Sequence, residues 1–365
     1  MAFKYFLVIL NTKSSNFLKF FIILFKMTNY NNTIKDKILS YYRNNKRDLP
    51  WRTKEDNNQN PYYTLVSEIM LQQTQVSTAL DYYKRFIKKW PTVNSLASAN
   101  IDEVLVLWAG LGYYSRAKNL LKTAQIIKNN FHGLVPNKYD DLISLPGIGD
   151  YTASAILSFA YGKPTLALDT NIKRFITRIF GIDSLEKKEI SKYGTYFFAN
   201  RNSGKITQAV MDFSSQLCTK KKPACLSCFL KSYCKYDEYK EKPKKTSFIK
   251  KKYSIVIFYI YKNKYFFLRK RSLNKILGGM YEVPGTEWSS KSWPSTPTSI
   301  NGTKVLCGIL TYKFSHINLK TKVFKLNIKS KKLIKEKGIW INLLDLKDYP
   351  ISGLTKKIIK FSINK

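Results

Sequence analysis

The sequence predicts a chain in two parts, an all-helical region followed by a small α+β domain, and three observations carry that prediction. From Ile34 to Leu217 the apolar residues recur at the three-and-four spacing of amphipathic helices. After a polar, Lys-rich and Pro-broken stretch the period changes to that of strands, in YSIVIFYIY, KYFFLRK, TKVLCGIL and TKVFKLNI. Between the two regions lies a tight group of four cysteines, Cys218, Cys225, Cys228 and Cys234. The predicted boundaries are an extension over residues 1–26, a helical domain over 27–236, a linker over 237–252 and a domain over 253–365. A chain of 365 residues with 44% hydrophobic content holds two domains with cores of their own, which excludes a disordered protein.

The formal charge of +39 points to a polyanionic partner. Lys far outnumbers Arg, and Asn, Ile and Tyr are abundant, a bias that an A/T-rich genome produces without functional meaning. Charge alone therefore divides evenly between nucleic acid and no message. Each apolar run of Met1 to Lys26 is too short to span a bilayer, so no membrane partner is expected. A signal peptide is the other candidate, but no small-residue cleavage site follows, and the segment is read as an upstream start or a dispensable tail, with Met27 the true start. Organelle targeting stays open as an alternative, although Arg is absent from the segment.

Asn31 to Tyr42 is helical, with Ile34, Ile38, Leu39 and Tyr42 on one face, and leads into RDLPWR and a polar loop, Lys54 to Asn60. The next stretch, YYTLVSEIMLQQTQVSTALDYYKRFIKKW, repeats apolar residues at helical spacing. Glu68 sits in its most apolar part. It is either a solvated outer-face glutamate or a desolvated carboxyl suited to general acid work. The amides of Gln72, Gln73 and Gln75 with Thr74 can cap helices or probe stacked bases. GLGYYSRAKNL places Tyr113 and Tyr114 at an interhelical turn beside Arg116 and Lys118, where aromatics are core or wedge into a base stack.

Leu142 to Leu145 closes a helical run, Pro146-Gly147-Ile148-Gly149 makes a tight turn, and Tyr151 to Phe159 opens a second helix. Two glycines let the backbone approach a partner, and the new helix's first amides can hold a phosphate. The apolar run Leu166 to Leu168 ends at Asp169, either a helix N-cap and nothing more or a functional acid. The cysteines follow at C-x6-C-x2-C-x5-C, which reads as a metal site in a reducing compartment. Zinc sites more often use paired CxxC units, and four thiolates at this asymmetric spacing suit a 4Fe–4S cluster. Cys307 stands apart as an inert thiol.

SEIMLQQTQV resembles the signature of the MutY adenine DNA glycosylases nearly letter for letter. The PGIG turn followed by Asp169 resembles the helix-hairpin-helix element of the DNA base-excision glycosylases with their catalytic aspartate, GLGYYSRAKNL resembles a motif of MutY, and the cysteine spacing is that of MutY and endonuclease III. LGGMYEVPG, Leu277 to Gly285, resembles the Nudix fold without its REUxEE metal-binding box. YKFSHINL resembles the loop by which MutY reads 8-oxoguanine. The resemblance implies a two-lobed helix-hairpin-helix glycosylase with a 4Fe–4S cluster held by Cys218, Cys225, Cys228 and Cys234, followed by a Nudix-like domain. It implies excision of adenine mispaired with 8-oxoguanine or guanine in double-stranded DNA, by a monomer in contact with the bacterial nucleoid. Glu68 would protonate the departing base and Asp169, joined by Asn171, would stabilise the sugar cation. An apolar setting for Glu68 and a helix N-terminus for Asp169 would push their pKa values apart. Tyr151 stands where endonuclease III has the lysine of its Schiff base. Thr170 departs from the Gly common in MutY. Gln73, Thr74, Tyr113, Gly147 and Gly149 would contact DNA, with Gln73 and Tyr113 intercalating. Lys220, Lys221, Lys222 and Lys231 would face the backbone, and Phe314, Ser315 and His316 would read the lesion.

Overall fold

The computed structural model describes residues 15–52, 59–183, 186–199, 202–236, 249–296 and 304–364, the first of these, 15–28, by backbone alone. Most of the expected Lys54–Asn60 loop and of the linker lies outside them. In chain order the helices are α1 (Ser15–Asn45), α2 (Pro61–Leu71), α3 (Val76–Lys89), α4 (Val93–Ala97), α5 (Ile101–Trp108), α6 (Ser115–Asn130), α7 (Tyr139–Ile143), α8 (Asp150–Tyr161), α9 (Thr170–Phe180), α10 (Lys187–Phe198) and α11 (Ser203–Gln216). The strands are β1 (Lys250–Tyr261), β2 (Tyr265–Lys270), β3 (Tyr281–Glu282), β4 (Val305–Lys313), β5 (Ile317–Ile328) and β6 (Ile339–Asn342), and α12 (Gly353–Ile363) closes the chain. No helix among the described residues is long and apolar enough to cross a membrane.

The chain forms two compact units, residues 1–64 with 149–241 and residues 65–148 with 242–365. In the first unit α1 starts well before the expected Asn31 and runs through Met27 unbroken, because neither Gly nor Pro interrupts it. Its Ile34, Ile38 and Tyr42 bury against Phe175, Ile176 and Ile179 of α9, Phe197 and Phe198 of α10 and Phe213 of α11. RDLPWR ties the end of this helix to the core. Arg47 and Arg52 close on Asp212 of α11 at 2.6 and 2.7 Å, with the Asp212 carboxylate fully buried. The small residues of α8 let it pack closely on α11, where the Ser158 hydroxyl donates to Ser203 Oγ at 3.1 Å. Helices α8 and α9 both stop at a left-handed glycine, Gly162 and Gly181.

In the second unit Leu65, Val66, Ile69 and Met70 of α2, Tyr83 and Phe86 of α3 and Trp108 of α5 are buried. The periodic run from Leu65 to Ile87 is broken at Gln72–Gln75, where Gln73 takes a φ of 56° that no helix continues. The sheet has the order β3-β2-β1-β5-β4, with β6 on β2. β1 and β5 run parallel in the middle, in register from Lys250↔Ile317 to Tyr261↔Ile328. β1 thus begins inside the stretch expected to be linker. β3 and β6, two and four residues long, are too short for period two to reveal.

The boundary between the two units falls inside the helix-turn-helix, between Ile148 and Gly149. α7 and most of the turn belong to the second unit, whereas α8 buries its small residues against α11 of the first.

Candidate active site

Glu68 lies on α2 between Val66 and Ile69 and is only 6% exposed. The solvated outer-face alternative is thereby excluded; this carboxyl has left bulk water. At the end of the same helix the amide run turns sharply. Gln73 takes φ 56°, and Tyr113, on the turn between α5 and α6, takes φ 46°. Side-chain-bearing residues rarely adopt this left-handed conformation, and where they do the strain clusters at functional turns. Tyr113 is partly exposed, whereas Tyr114 is buried core, its hydroxyl accepting from Gly110 N–H at 3.3 Å.

Arg116 and Lys118 read in the sequence as bases flanking this turn, and the structure corrects that. Arg116 is buried and gives its two terminal nitrogens to protein. Nη1 donates to the carbonyls of Ile69, Met70 and Gln72 at 3.1, 2.7 and 2.6 Å. Nη2 donates to Thr74 Oγ1 at 3.1 Å and to the carbonyls of Leu111 and Gly112 at 3.3 and 3.1 Å. The end of α2 leaves such carbonyls without helical partners and draws a cation. Burial pushes the guanidinium down to about 10, opposed by the nearby Tyr113, so it stays charged at neutral pH. Lys118 Nζ donates to the Leu273 carbonyl at 2.5 Å.

The glycine turn is braced by the same helix α6. Gly147 takes φ 81°, and a Cβ there would come within 2.9 Å of the Asn119 side chain. Thr123 Oγ1 donates to the Pro146 carbonyl at 2.9 Å, and Gln72 Nε2 donates to the Gly147 carbonyl at 3.2 Å. Gly149 is the N-cap of α8 and, having no side chain, offers no side-chain cap. Tyr151, in the first turn of α8, packs against Ala155, Phe159 and Ala167.

Asp169 is the N-cap of α9, as the sparer alternative holds, and it does more than cap. One carboxylate oxygen accepts from Ile172 N–H at 2.6 Å, the other from the Asn171 amide at 2.7 Å. Asn171 in turn accepts from Arg174 Nη2 at 3.0 Å, and Arg174 Nε donates to the Cys218 carbonyl at 2.8 Å. The helix N-terminus is expected to hold this acid's pKa down, and the structure overturns that. Burial raises it above the usual carboxylate value, and the bonds from Ile172 and Asn171 and the charge of Arg174 do not cancel the effect. Thr170 is exposed. Glu68 belongs to the second unit and Asp169 to the first.

Cys218, Cys225, Cys228 and Cys234 all line one cavity of about 110 Å³. Burial raises the thiol pKa of Cys228 and Cys234, and the neighbouring thiols add to it. No three His, Cys, Asp or Glu side chains among the described residues form a group that could hold a metal ion. The donor set itself, four soft sulfurs lining one cavity, is of the chemistry that zinc or an iron–sulfur cluster takes. Arg178 donates to Cys218 Sγ at 3.4 Å and to the Thr219 carbonyl at 2.8 Å, and lies 4.2 Å over the Tyr236 ring. Lys220, Lys221, Lys222 and Lys231 are exposed. Arg174 and Arg178 escape a reading of the sequence, although their four-residue spacing after Asp169 puts both on one face of α9.

Phe314, Ser315 and His316 form the three-residue hairpin loop between β4 and β5, closed by Phe314 N–H donating to the Ile317 carbonyl at 2.7 Å. The Phe314 ring packs on Tyr312 and Trp288, with centroids at 4.9 and 5.4 Å, and anchors the loop. Ser315 and His316 are exposed at the tip. In the stretch that resembles Nudix, Glu282 is committed to Arg269 and Arg271 at 3.0 and 2.5 Å.

Residues 66–196 match the model of the HhH-GPD superfamily base excision DNA repair proteins, and residues 256–361 match that of the NUDIX domain. The chain is 37% identical over 349 residues to an adenine DNA glycosylase of Buchnera aphidicola (subsp. Baizongia pistaciae), covering 89% of this chain and 96% of the relative. To the human adenine DNA glycosylase it is 37% identical over 211 residues, 55% of this chain and 39% of that one. Among solved structures, a thermostable thymine-DNA glycosylase is similar at TM-score 0.52 and 26% identity, over 57% of this chain and 97% of that chain.

Proposed function

The chain belongs to the adenine DNA glycosylase family, a family of base-excision DNA glycosylases, and from that premise we propose that it hydrolyses the N-glycosidic bond of adenine mispaired with 8-oxoguanine or guanine in duplex DNA. The observation that carries the reading is Asp169 itself. Its carboxylate is locked by Ile172 N–H and the Asn171 amide in a setting that raises its pKa. A carboxylate that has lost water responds strongly to positive charge developing beside it.

Adenine inside a duplex is out of reach and must be flipped into a pocket. Glu68, buried on an apolar helix, is suited to deliver a proton to a ring nitrogen of the leaving base. Departure leaves an oxocarbenium-like sugar, which Asp169 stabilises until water adds. Gln73 and Tyr113 enter the stack, Thr74 contacts the DNA beside Gln73, and Gly147 and Gly149 let the backbone approach a phosphate. Cys218, Cys225, Cys228 and Cys234 hold a 4Fe–4S cluster, whose part is to stiffen the loop that presents Lys220, Lys221, Lys222 and Lys231. Ser315 and His316, steadied by Phe314, read the base opposite adenine. Tyr151 offers a phenol and no amine, which disfavours a lyase acting through a Schiff base.

The test is excision from duplexes holding adenine opposite 8-oxoguanine, beside duplexes holding thymine glycol, scored as alkali-labile sites. Cleavage is expected in the first set only. Glu68→Gln and Asp169→Asn should each slow single-turnover release by at least about a hundredfold while mispair binding survives. Cleavage confined to thymine glycol duplexes would overturn the reading.

A further inference from the structure

Gln73 and Tyr113 stand on different turns, yet one side chain grips the peptide group before each. The φ of a residue is set by the orientation of the peptide plane that precedes it, because that plane is rigid. Whatever holds the carbonyls of Gln72 and Gly112 therefore holds the left-handed φ of Gln73 and of Tyr113. Arg116 holds both, through Nη1 to the Gln72 carbonyl at 2.6 Å and Nη2 to the Gly112 carbonyl at 3.1 Å. Its guanidinium carbon also lies 5.5 Å from the Tyr113 ring centroid. We infer that Arg116 is a positioning residue that sets Gln73 and Tyr113 as one rigid pair, so that both enter the duplex together. The inference rests on the proposal that these two residues are wedges.

The chemistry calls for arginine. Its two terminal nitrogens diverge in a planar fork and can serve two turns at once, whereas the lysine ammonium donates from a single point. The fork is also fixed at its base. Arg116 opens a stripe on α6 that continues at helical spacing through Asn119 and Thr123, the two residues that brace the Gly147 turn. One helix face thus holds three turns proposed to meet DNA, and a strained backbone persists only where its surroundings determine it in this way.

The test is a mutant cycle on the full chain, read as affinity for a duplex holding adenine opposite 8-oxoguanine. Arg116→Lys keeps a cation at the end of α2 but loses the fork. It should weaken binding about tenfold, the scale of one charge-assisted hydrogen bond. The Gln73→Ala/Tyr113→Ala double variant should also bind weakly, and adding Arg116→Lys to it should cost no more than about twofold, because coupled residues are not additive. A merely structural role would give an additive loss, and that result would overturn the inference. If the double variant binds like the unmodified protein, the wedge reading falls and this one with it. As a second arm, Arg116→Ala is supplied with millimolar guanidinium ion, and affinity should recover relative to sodium chloride of equal ionic strength. A folded Arg116→Ala protein that guanidinium leaves unrestored would equally overturn the assignment, as would one that binds normally without it.

Discussion

The hydroxyl of Tyr113 lies 2.8 Å from the hydroxyl of Ser315, joining the turn before α6 to the tip of the β4–β5 hairpin. These are the proposed wedge and the proposed lesion reader, two hundred and two residues apart in sequence. Both side chains are exposed, so water competes and the bond contributes only about 0.5–1.5 kcal/mol. It nevertheless fixes where the serine hydroxyl points. Tyr113→Phe keeps the ring and deletes the bond. The preference for adenine opposite 8-oxoguanine over adenine opposite guanine should narrow severalfold, with the rate on the guanine mispair little changed. Single-turnover rates on the two duplexes check this, and an unchanged ratio would show that Ser315 needs no help from Tyr113.

A second tie sits further along the same helices. Lys270, at the end of β2, meets both carboxylate oxygens of Asp102 on α5, at 2.5 and 2.8 Å. More than a third of each side chain is exposed, so the pair is worth about 0–1 kcal/mol and weakens with salt. Asp102→Lys should reduce the 8-oxoguanine preference by up to about fivefold at low salt, since like charges then face each other. Combining it with Lys270→Asp should restore the preference. Failure of the swapped pair to recover would mean that Asp102 matters for its own helix, where it occupies the first turn.

The raised pKa of Asp169 makes a claim about stability as well as catalysis. A carboxyl whose folded value exceeds its unfolded value favours folding while protonated, and that contribution fades as pH rises through the folded value. Asp169→Asn removes the titration. The melting temperature of the variant relative to the unmodified protein should therefore rise between about pH 3.5, below the unfolded value, and about pH 7. Melting curves at the two pH values suffice. A constant difference would place the folded pKa at its ordinary value.

Asp212 carries the opposite sign. Burial alone would raise its pKa, but the bonds and charges of Arg52 and Arg47 outweigh that and hold it below the usual carboxylate range. Its stabilisation is present above the unfolded pKa and lost as pH falls through the folded one. Asp212→Asn leaves two arginines facing a neutral amide and should cost about 3–5 kcal/mol at pH 7. The deficit should begin to shrink below about pH 4, where the unfolded chain takes up the proton, and close as pH falls through the lower folded value. Denaturant titrations at pH 7 and in acid measure it.

How far the fold and the site can be read along the chain depends on how local each cause is. The helices, the main strands and the α-to-α+β order follow from apolar period, which any window of a dozen residues displays. The cysteine group, the Asp169 N-cap and the Phe314–His316 hairpin loop are also local, since spacing along the chain places them. The rest turns on partners far apart in sequence, which meet only in the folded protein. Arg116 reads as a surface base beside two tyrosines until the fold brings the carbonyls of Ile69 to Gln72 around it. Arg47 and Arg52 have no role legible in RDLPWR until the fold buries Asp212 between them. The pKa of Asp169 takes the wrong sign in the sequence for the same reason. The helix N-terminus that lowers it is visible there, but the burial that raises it comes from the surrounding fold, and desolvation exceeds what the bonds from Ile172 and Asn171 and the charge of Arg174 return.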